Sequence, residues 1–148
     1  MAFRSILVPV DYSEPSQRAL ELALTLNENA VVTVVHAWDR PAYVGEEVVT
    51  HPDGSRRSLS ELIRDNAERE MTEFLAKVST PLPPNCKHHL ITGDPVTAII
   101  AEASKPGYDV LVVGTHGRTG MTKLLLGSVT EKLIRLSPIP VLTVPPAR

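Results

Sequence analysis

Short runs of apolar, mostly β-branched residues recur along the chain and limit the folds open to it. Four of them occupy residues 6–10, 31–35, 110–113 and 139–144, and residues 87–92 form a weaker fifth candidate. Near-continuous apolar runs of this length are typical of strands covered on both faces, as in a parallel sheet. The sequence therefore predicts a five-stranded parallel sheet with helices on both faces.

Helical patterns separate these runs. One follows Ser13, a suitable N-cap, and a long apolar stripe follows the capping-box pattern Ser58-x-x-Glu61. A third helix is expected to open at Asp94, and a fourth at Ser128-x-x-Glu131. The resulting β-α-β-α-β-α-β-α-β order predicts a doubly wound α/β fold with a single domain over residues 1–148.

One connection, residues 38–57, is long for a compact domain. Its segment "HPDGSRR" is expected to form a turn, and the pair Arg56-Arg57 is expected to lie in a solvated loop. The sequence contains no internal repeat or low-complexity tract.

Charge and composition exclude several classes of function. A net charge of −2 argues against a nucleic-acid partner, because such proteins cluster Lys and Arg to neutralise phosphates. An apolar content of 43 % with 22 % charged residues is typical of an ordinary soluble protein, so no membrane insertion is expected. The start of the chain has no long apolar signal segment. The single cysteine, Cys86, cannot form an internal bridge and is expected to be a small, partly buried residue. We therefore expect a cytoplasmic protein.

Glycine is concentrated in the segment "GTHGRTGMTKLLLGS", which holds Gly114, Gly117, Gly120 and Gly127, four of the eight glycines in the chain. The segment follows a predicted strand, and ligands of parallel sheets lie beyond the carboxyl ends of strands. Glycine-rich backbone followed by a helix N-terminus suits an anion such as a phosphate chain. It matches neither a Walker loop nor the Gly-x-Gly-x-x-Gly dinucleotide pattern. Glycine turns and helix caps explain the same residues without a ligand.

Two long stretches resemble one protein family. "VGTHGRTGMTKLLLGSVTEKLIRLSPIPVLTV" resembles the C-terminal signature of the universal stress proteins, and "SILVPVDYSEPSQRALELAL" resembles their N-terminal signature. In that family, Gly-x-x-Gly, nine residues and Gly-Ser/Thr mark the branch that binds ATP. Gly114, Gly117, Gly127 and Ser128 match its fixed positions. The resemblance implies a Rossmann-like fold of the adenine nucleotide alpha hydrolase type.

The resemblance also implies a set of ATP-binding residues, with Mg²⁺ coordinated mainly by the phosphates. Asp11 would accept hydrogen bonds from the ribose hydroxyls, and the base would lie near Pro9, Val10 and Val35. The phosphates would be held by the backbone of Gly117, Arg118 and Gly127, the Ser128 hydroxyl, and the N–H groups of Val129 and Thr130. Each residue also has a purely structural interpretation: Asp11 could cap the following turn, Ser128 its helix, and Val35 could belong to the core.

Function follows from the same resemblance. It implies a cytoplasmic stress-response or signalling module that binds an adenine nucleotide and forms a homodimer through the last strand, where Pro140 suits a sheet edge. Its downstream protein partner is unknown. A slow ATP-hydrolysing or nucleotidyl-transferring enzyme and an AMP-binding scaffold stay open as alternatives. An enzyme would have only His116, Arg118 and Lys123 of this loop near the γ-phosphate, and the Ser-Gly-Gly loop of related adenylating enzymes is missing.

The five histidines do not predict a metal site. His88 and His89 are adjacent on a candidate strand, so their side chains point to opposite faces. His36 and His116 follow different strands without cysteine or carboxylate neighbours at ligand spacing.

Overall fold

The computed structural model describes residues 3–39, 47–116 and 126–146. Four helices and seven strands lie within them. The strands are β1 Ser5–Pro9, β2 Val31–Trp38, β3 Val48–Thr50, β4 Arg56–Ser58, β5 Cys86–Thr92, β6 Val110–Gly114 and β7 Val141–Val144. The helices are α1 Glu14–Leu26, α2 Leu59–Ala76, α3 Pro95–Ala103 and α4 Ser128–Leu136.

The main sheet has five parallel strands in the order β5-β2-β1-β6-β7. The chain therefore winds outward from β1 to β5 on one side and then resumes at β6 on the other side. This arrangement confirms the predicted doubly wound sheet. It places the change of winding direction between β1 and β6, where ligands of open α/β sheets are usually found.

Each face of the sheet carries its own hydrophobic core. Alternate residues of β1, such as Ile6 and Val8, pack with α1 and α2, where Leu20 and Phe74 are buried. Leu7 lies in the second core with buried residues of α3 and α4. Burial on both faces explains why the central strands are apolar at nearly every position.

Two strand boundaries differ by more than one residue from those predicted. β2 continues through Trp38 rather than ending at Val35, because its last residues pair with β5 as far as Trp38–Thr92. β7 begins at Val141, so Pro140 precedes the strand and contributes only its carbonyl, which accepts from Leu111 N at 2.9 Å. The prediction that Pro140 lies within the edge strand was wrong, although β7 is an edge strand of the sheet.

The long connection contains a hairpin that the sequence analysis missed. β3 and β4 pair in antiparallel fashion, and the turn between them, residues 51–55, covers the first five residues of the predicted "HPDGSRR" segment. Arg56 and Arg57 therefore lie in a strand, which corrects their assignment to a loop. The Arg57 guanidinium forms ion pairs with Glu61 and Asp65 of α2. Polar residues and strands of three residues left little alternation in the sequence to reveal the hairpin.

Three of the four predicted helix starts are confirmed. Ser13, Ser58 and Asp94 are N-caps whose side chains accept from Ser16 N, Glu61 N and Thr97 N respectively. The fourth is wrong by one residue. Gly127 occupies the N-cap of α4, so Ser128 is the first helical residue and Glu131 forms an ion pair with Arg135 instead of a capping box.

A buried carboxylate anchors the end of α3. Glu102 accepts a hydrogen bond from Tyr108 Oη at 2.8 Å and pairs with Lys105 Nζ at 2.8 Å. Burial opposes ionisation of Glu102, but the hydrogen bonds from Lys105 and Tyr108 outweigh it and hold its pKa below the usual range. Burial and the bond to Glu102 raise the pKa of Tyr108 to about 12. Glu102 Oε1 also lies 3.4 Å from His89 Nε2 of β5, so the cluster connects α3 to the sheet.

Within the described residues, no helix is long and apolar enough to cross a bilayer.

Gly114 is required by packing at the end of β6. A Cβ atom at this position would lie 3.0 Å from the carbonyl carbon, oxygen and Cβ of Pro15, in the first turn of α1. These atoms belong to a helix start and cannot move independently, so only glycine lets α1 pack this closely against β6.

We expect Gly114→Ala to destabilise the fold by about 1–3 kcal/mol, the usual range for overpacking a tight contact. Urea unfolding without nucleotide measures this change. Glu73→Ala, on the exposed face of α2, is the control and should stay within about 0.5 kcal/mol of the parent. Equal stability of Gly114→Ala and the parent would show that the contact with Pro15 is not restrictive.

Candidate functional site

A crevice opens where the two central strands separate. β1 pairs with β6 at Ile6–Val110 and Leu7–Leu111, whereas its pairing with β2 continues to Pro9–Val35. β6 meanwhile continues beside β7 as far as Gly114. The strands thus diverge toward their carboxyl ends, and a cavity of about 260 Å³ lies there.

The cavity brings together residues that are far apart in the sequence. Eight of the eleven predicted site residues line it: Pro9, Val10, Asp11, Gly114, Gly127, Ser128, Val129 and Thr130. Gly117 and Arg118 lie outside the described residues. The sequence analysis did not assign the remaining lining residues to the site as binding residues: Ser16, His36, Ala37, Pro95, Ile99, Val113, His116 and Leu133.

Val35 does not lie in the cavity, where its predicted contact with the base would place it. Its side chain is fully buried in the core beside Leu7 and Ile99, and it is not among the cavity-lining residues. Its carbonyl accepts from Val10 N at 2.8 Å. Because β2 extends three residues further than predicted, His36 and Ala37 line the cavity instead.

Asp11 lies two residues after the end of β1, in the turn that leads to α1. Its Oδ1 accepts a hydrogen bond from Ser13 N at 3.0 Å and another from the Ser13 hydroxyl. Asp11 therefore does organise the turn before α1, as its structural interpretation supposed. The same bonds hold the carboxylate at the cavity wall, where it can also accept from hydroxyl groups of a ligand.

The next residue, Tyr12, has a left-handed backbone, with φ at 66°. Such a conformation is costly for a bulky residue and persists only where surrounding contacts impose it. Here the ring of Tyr12 stacks on His36, with centroids 4.2 Å apart, and lies 5.3 Å from the ring of Phe74. The stack fixes the path of the chain between Asp11 and α1.

His36 links β2 to this turn. Its Nδ1 lies 2.7 Å from the carbonyl oxygen of Val10. Since a carbonyl oxygen only accepts, Nδ1 must carry the proton, and in the neutral ring Nε2 is left as the acceptor. The discounted histidine is therefore a structural element of the cavity wall.

The first turn of α4 is tied to the end of β6 by two hydrogen bonds. Gly127 N donates to Thr115 O at 2.8 Å, and the Thr130 hydroxyl donates to Gly114 O at 2.7 Å. Gly127 has no side chain and makes no side-chain cap bond. The first amides of α4 thus lie beside the cavity with the positive end of the helix dipole, an arrangement that favours an anion.

His116 lies at the same edge, just after β6. It is 6 % exposed, lines the cavity, and its Nδ1 lies 2.9 Å from the Thr115 hydroxyl. Its burial beside the start of α4 distinguishes it from an ordinary loop histidine. The spacing of the glycine motif placed it near the site, but nothing in the sequence indicated that it would be buried.

Part of the cavity lining is apolar. Ile99 and Pro95 of α3 and Leu133 of α4 form it, together with Val113 of β6. The lining therefore combines polar groups at Asp11 and the start of α4 with an apolar surface. Such a cavity suits a ligand with an aromatic part, hydroxyl groups and a negative charge.

Within the described residues, no group of three or more His, Cys, Asp or Glu side chains could hold a metal ion.

Comparisons with known proteins agree with this architecture. The model of the universal stress protein family matches residues 2–145. The stress response protein NhaX of Bacillus subtilis is 30 % identical, with 94 % of this chain and 96 % of the relative covered. Universal stress protein A homolog 1 of Coxiella burnetii is also 30 % identical, with 97 % of each chain covered.

Solved structures show the same fold. The archaeal protein MJ0577 of Methanocaldococcus jannaschii matches with a TM-score of 0.77 at 25 % identity, covering 100 % of this chain and 99 % of the other. UspA of Lactobacillus plantarum gives 0.68 at 28 % identity, covering 97 % and 99 %. A universal stress protein solved in complex with cAMP gives 0.61 at 23 % identity, covering 97 % and 98 %. The chain belongs to the universal stress protein family.

Proposed function

We propose that this protein is an ATP-binding universal stress protein that acts in the cytoplasm through a nucleotide-dependent conformation or partner contact. The observation that carries the proposal is the cavity between the diverging ends of β1 and β6, which the start of α4 borders without a side-chain cap. It unites an anion-binding helix end with an apolar wall at a topological switch point.

The adenosine part of ATP would lie toward β1, β2 and α3. Ala37, Pro95 and Ile99 offer apolar contact for the base, and Ala37 takes the position first assigned to Val35. Pro9 and Val10 complete this side. The Asp11 carboxylate, held by Ser13, would accept hydrogen bonds from the ribose hydroxyls.

The phosphates would lie at the other end, against the start of α4. The N–H groups of Ser128, Val129 and Thr130 are among the first amides of the helix, which have no intrahelical acceptor. The Ser128 hydroxyl adds a donor, and Gly127 lets the ligand approach the backbone closely. We also assign the backbone of Gly117 and Arg118 to the phosphates, on the motif alone.

Mg²⁺ would accompany ATP and be coordinated mainly by its phosphates. Octahedral Mg²⁺ commonly keeps water ligands and binds through substrate phosphates with one or two carboxylates. Asp11 is the one carboxylate among the described lining residues. The protein would therefore bind the ion through the nucleotide rather than through a site of its own.

Residues 1–148 would form one universal stress protein domain. The protein would bind its nucleotide without consuming it. Uniform binding of ATP lowers no chemical barrier, since acceleration requires groups that bind the transition state more tightly than the substrate. Among the described lining residues, His116 is the group closest in chemistry to a general base near α4.

The edge of β7 supports a homodimer. Leu111 N donates to Pro140 O, and Thr115 N donates to Val144 O, so even-numbered residues of β7 direct their backbone groups toward β6. Val141 and Thr143 consequently direct theirs outward from the edge. Because an open apolar edge is a template for pairing, we propose that a second copy covers it.

We expect Mg-ATP at about 100-fold above its dissociation constant to stabilise the protein by about 2.7 kcal/mol. This corresponds to about 5 to 10 °C in a thermal-unfolding scan for a domain of this size. Gly127→Val should remove most of the shift, because a β-branched side chain blocks approach to the α4 amides. Asp11→Ala should reduce it through loss of the ribose acceptor.

The control is Glu68→Ala, on the exposed face of α2, which should keep the full shift. AMP and cAMP are tested beside ATP, since a protein of the same fold holds cAMP. A shift with AMP alone would favour the regulatory-scaffold alternative. No shift with any adenine nucleotide at millimolar concentration would overturn the proposal.

Turnover of Mg-ATP should be absent or slower than about one per second, the low end for enzymes. Release of ADP by the purified protein measures it. Faster hydrolysis that is abolished by His116→Asn, with ATP binding retained, would favour the enzyme alternative.

Thr143→Pro should convert the dimer to a monomer, because proline removes one outward N–H while the β6–β7 ladder stays intact. Thr143→Val keeps the N–H and should remain dimeric. Sedimentation equilibrium at micromolar concentration distinguishes the two. A parent protein that sediments only as a monomer would refute the β7 interface.

A further inference from the structure

In the part of the chain that the structure describes, no strand covers the outer edge of the β3–β4 hairpin. Within the described residues, β3 pairs with β4 alone, and residues 47–50 are all exposed. Val48 is 54 % exposed and Val49 is 37 % exposed. A two-stranded hairpin with exposed β-branched residues is a template for further strand pairing.

The hydrogen bonds to β4 determine which backbone groups of β3 face outward. His51 N donates to Ser55 O at 2.8 Å, and Leu59 N donates to Glu47 O at 2.6 Å. Antiparallel ladders alternate, so Glu47, Val49 and His51 direct their backbone groups toward β4. Val48 and Thr50 must therefore direct their N–H and C=O groups away from the hairpin.

The sequence Glu47-Val48-Val49-Thr50-His51 is complementary to itself in antiparallel orientation. With Val49 on a two-fold axis, Val48 faces Thr50 of a second copy, and Glu47 faces His51. Both Val48 and Thr50 have outward backbone groups, so the two symmetric pairs form four hydrogen bonds. Each Glu47 carboxylate meets an imidazole that can donate to it. The register thus satisfies backbone and side-chain hydrogen bonding together.

The flanking strands allow this pairing. Arg56 and Arg57 lie in β4, opposite Thr50 and Val49 of β3. If two β3 strands pair, each β4 becomes an outer strand of a four-stranded sheet, so the arginines of the two copies do not face each other. The Arg57 side chain is neutralised by Glu61 and Asp65 of α2.

We infer that the outer edge of β3 pairs with β3 of a second copy to form a four-stranded antiparallel sheet across a two-fold axis.

This contact is separate from the β7 edge. A chain with two different isologous edges can link dimers into larger assemblies. The β3 contact involves short strands and is expected to be weak by itself. It is therefore best tested by cross-linking, in the Thr143→Pro background as well as in the parent.

The test uses engineered cysteines on a Cys86→Ser background. Val49 faces itself across the axis at a non-hydrogen-bonded position, where Cα atoms are about 4.5 Å apart, within disulfide range. Val49→Cys should therefore form a disulfide-linked dimer under mild oxidation. Val48→Cys is the matched control: it is more exposed but faces Thr50, so it should cross-link several-fold less.

Cross-linking of neither variant, of both equally, or of Val48→Cys preferentially would overturn the inference. Circular dichroism confirms that each variant is folded. A second measurement removes the side-chain pairs: Glu47→Lys should weaken association of the β3 edges roughly tenfold, because an ammonium group cannot accept the hydrogen bond that each imidazole donates. Adding His51→Glu should restore association. Failure of this rescue would also contradict the β3–β3 pairing. A failure to bind nucleotide would overturn the proposed function but not this pairing.

Discussion

The separation of β1 from β6 is the constraint on which the rest of the site depends. The two strands pair at only two described positions, Ile6–Val110 and Leu7–Leu111, because each then continues beside its outer neighbour. Their divergence leaves a crevice at the switch of winding direction. The start of α4 is bonded to the end of β6, whereas α3 reaches the crevice by packing on β2 and α4.

Two glycines shape the carboxyl end of β6 and the start of α4 in different ways. Gly114 lets the start of α1 press against β6, and Gly127 begins α4 without a side-chain cap. Two bonds, from Gly127 N to Thr115 O and from Thr130 Oγ1 to Gly114 O, join the helix start to the strand end. One glycine thus shapes the scaffold, while the other leaves amides available to a ligand.

Much of this arrangement could be predicted from sequence because it rests on long apolar runs and cap residues. The five strands and the caps Ser13, Ser58 and Asp94 were predicted correctly. Val35 was misplaced because a strand end depends on its neighbour: pairing with β5 carries β2 on to Trp38. The β3–β4 hairpin was missed because its strands have only three residues each, and β4 is polar. Ser128 resembled an N-cap locally, but the bonds to Thr115 and Gly114 fix the helix start at Gly127.

The central claim is that the first amides of α4 and the end of β2 bind the two ends of one adenine nucleotide. A titration of ¹⁵N-labelled protein with Mg-ATP, followed by amide NMR shifts, tests it most directly. The account predicts saturating shifts at Ser128, Val129 and Thr130 together with Ala37, with a common dissociation constant. Shifts confined to other parts of the surface, or no shifts at these four amides at millimolar ATP, would contradict it.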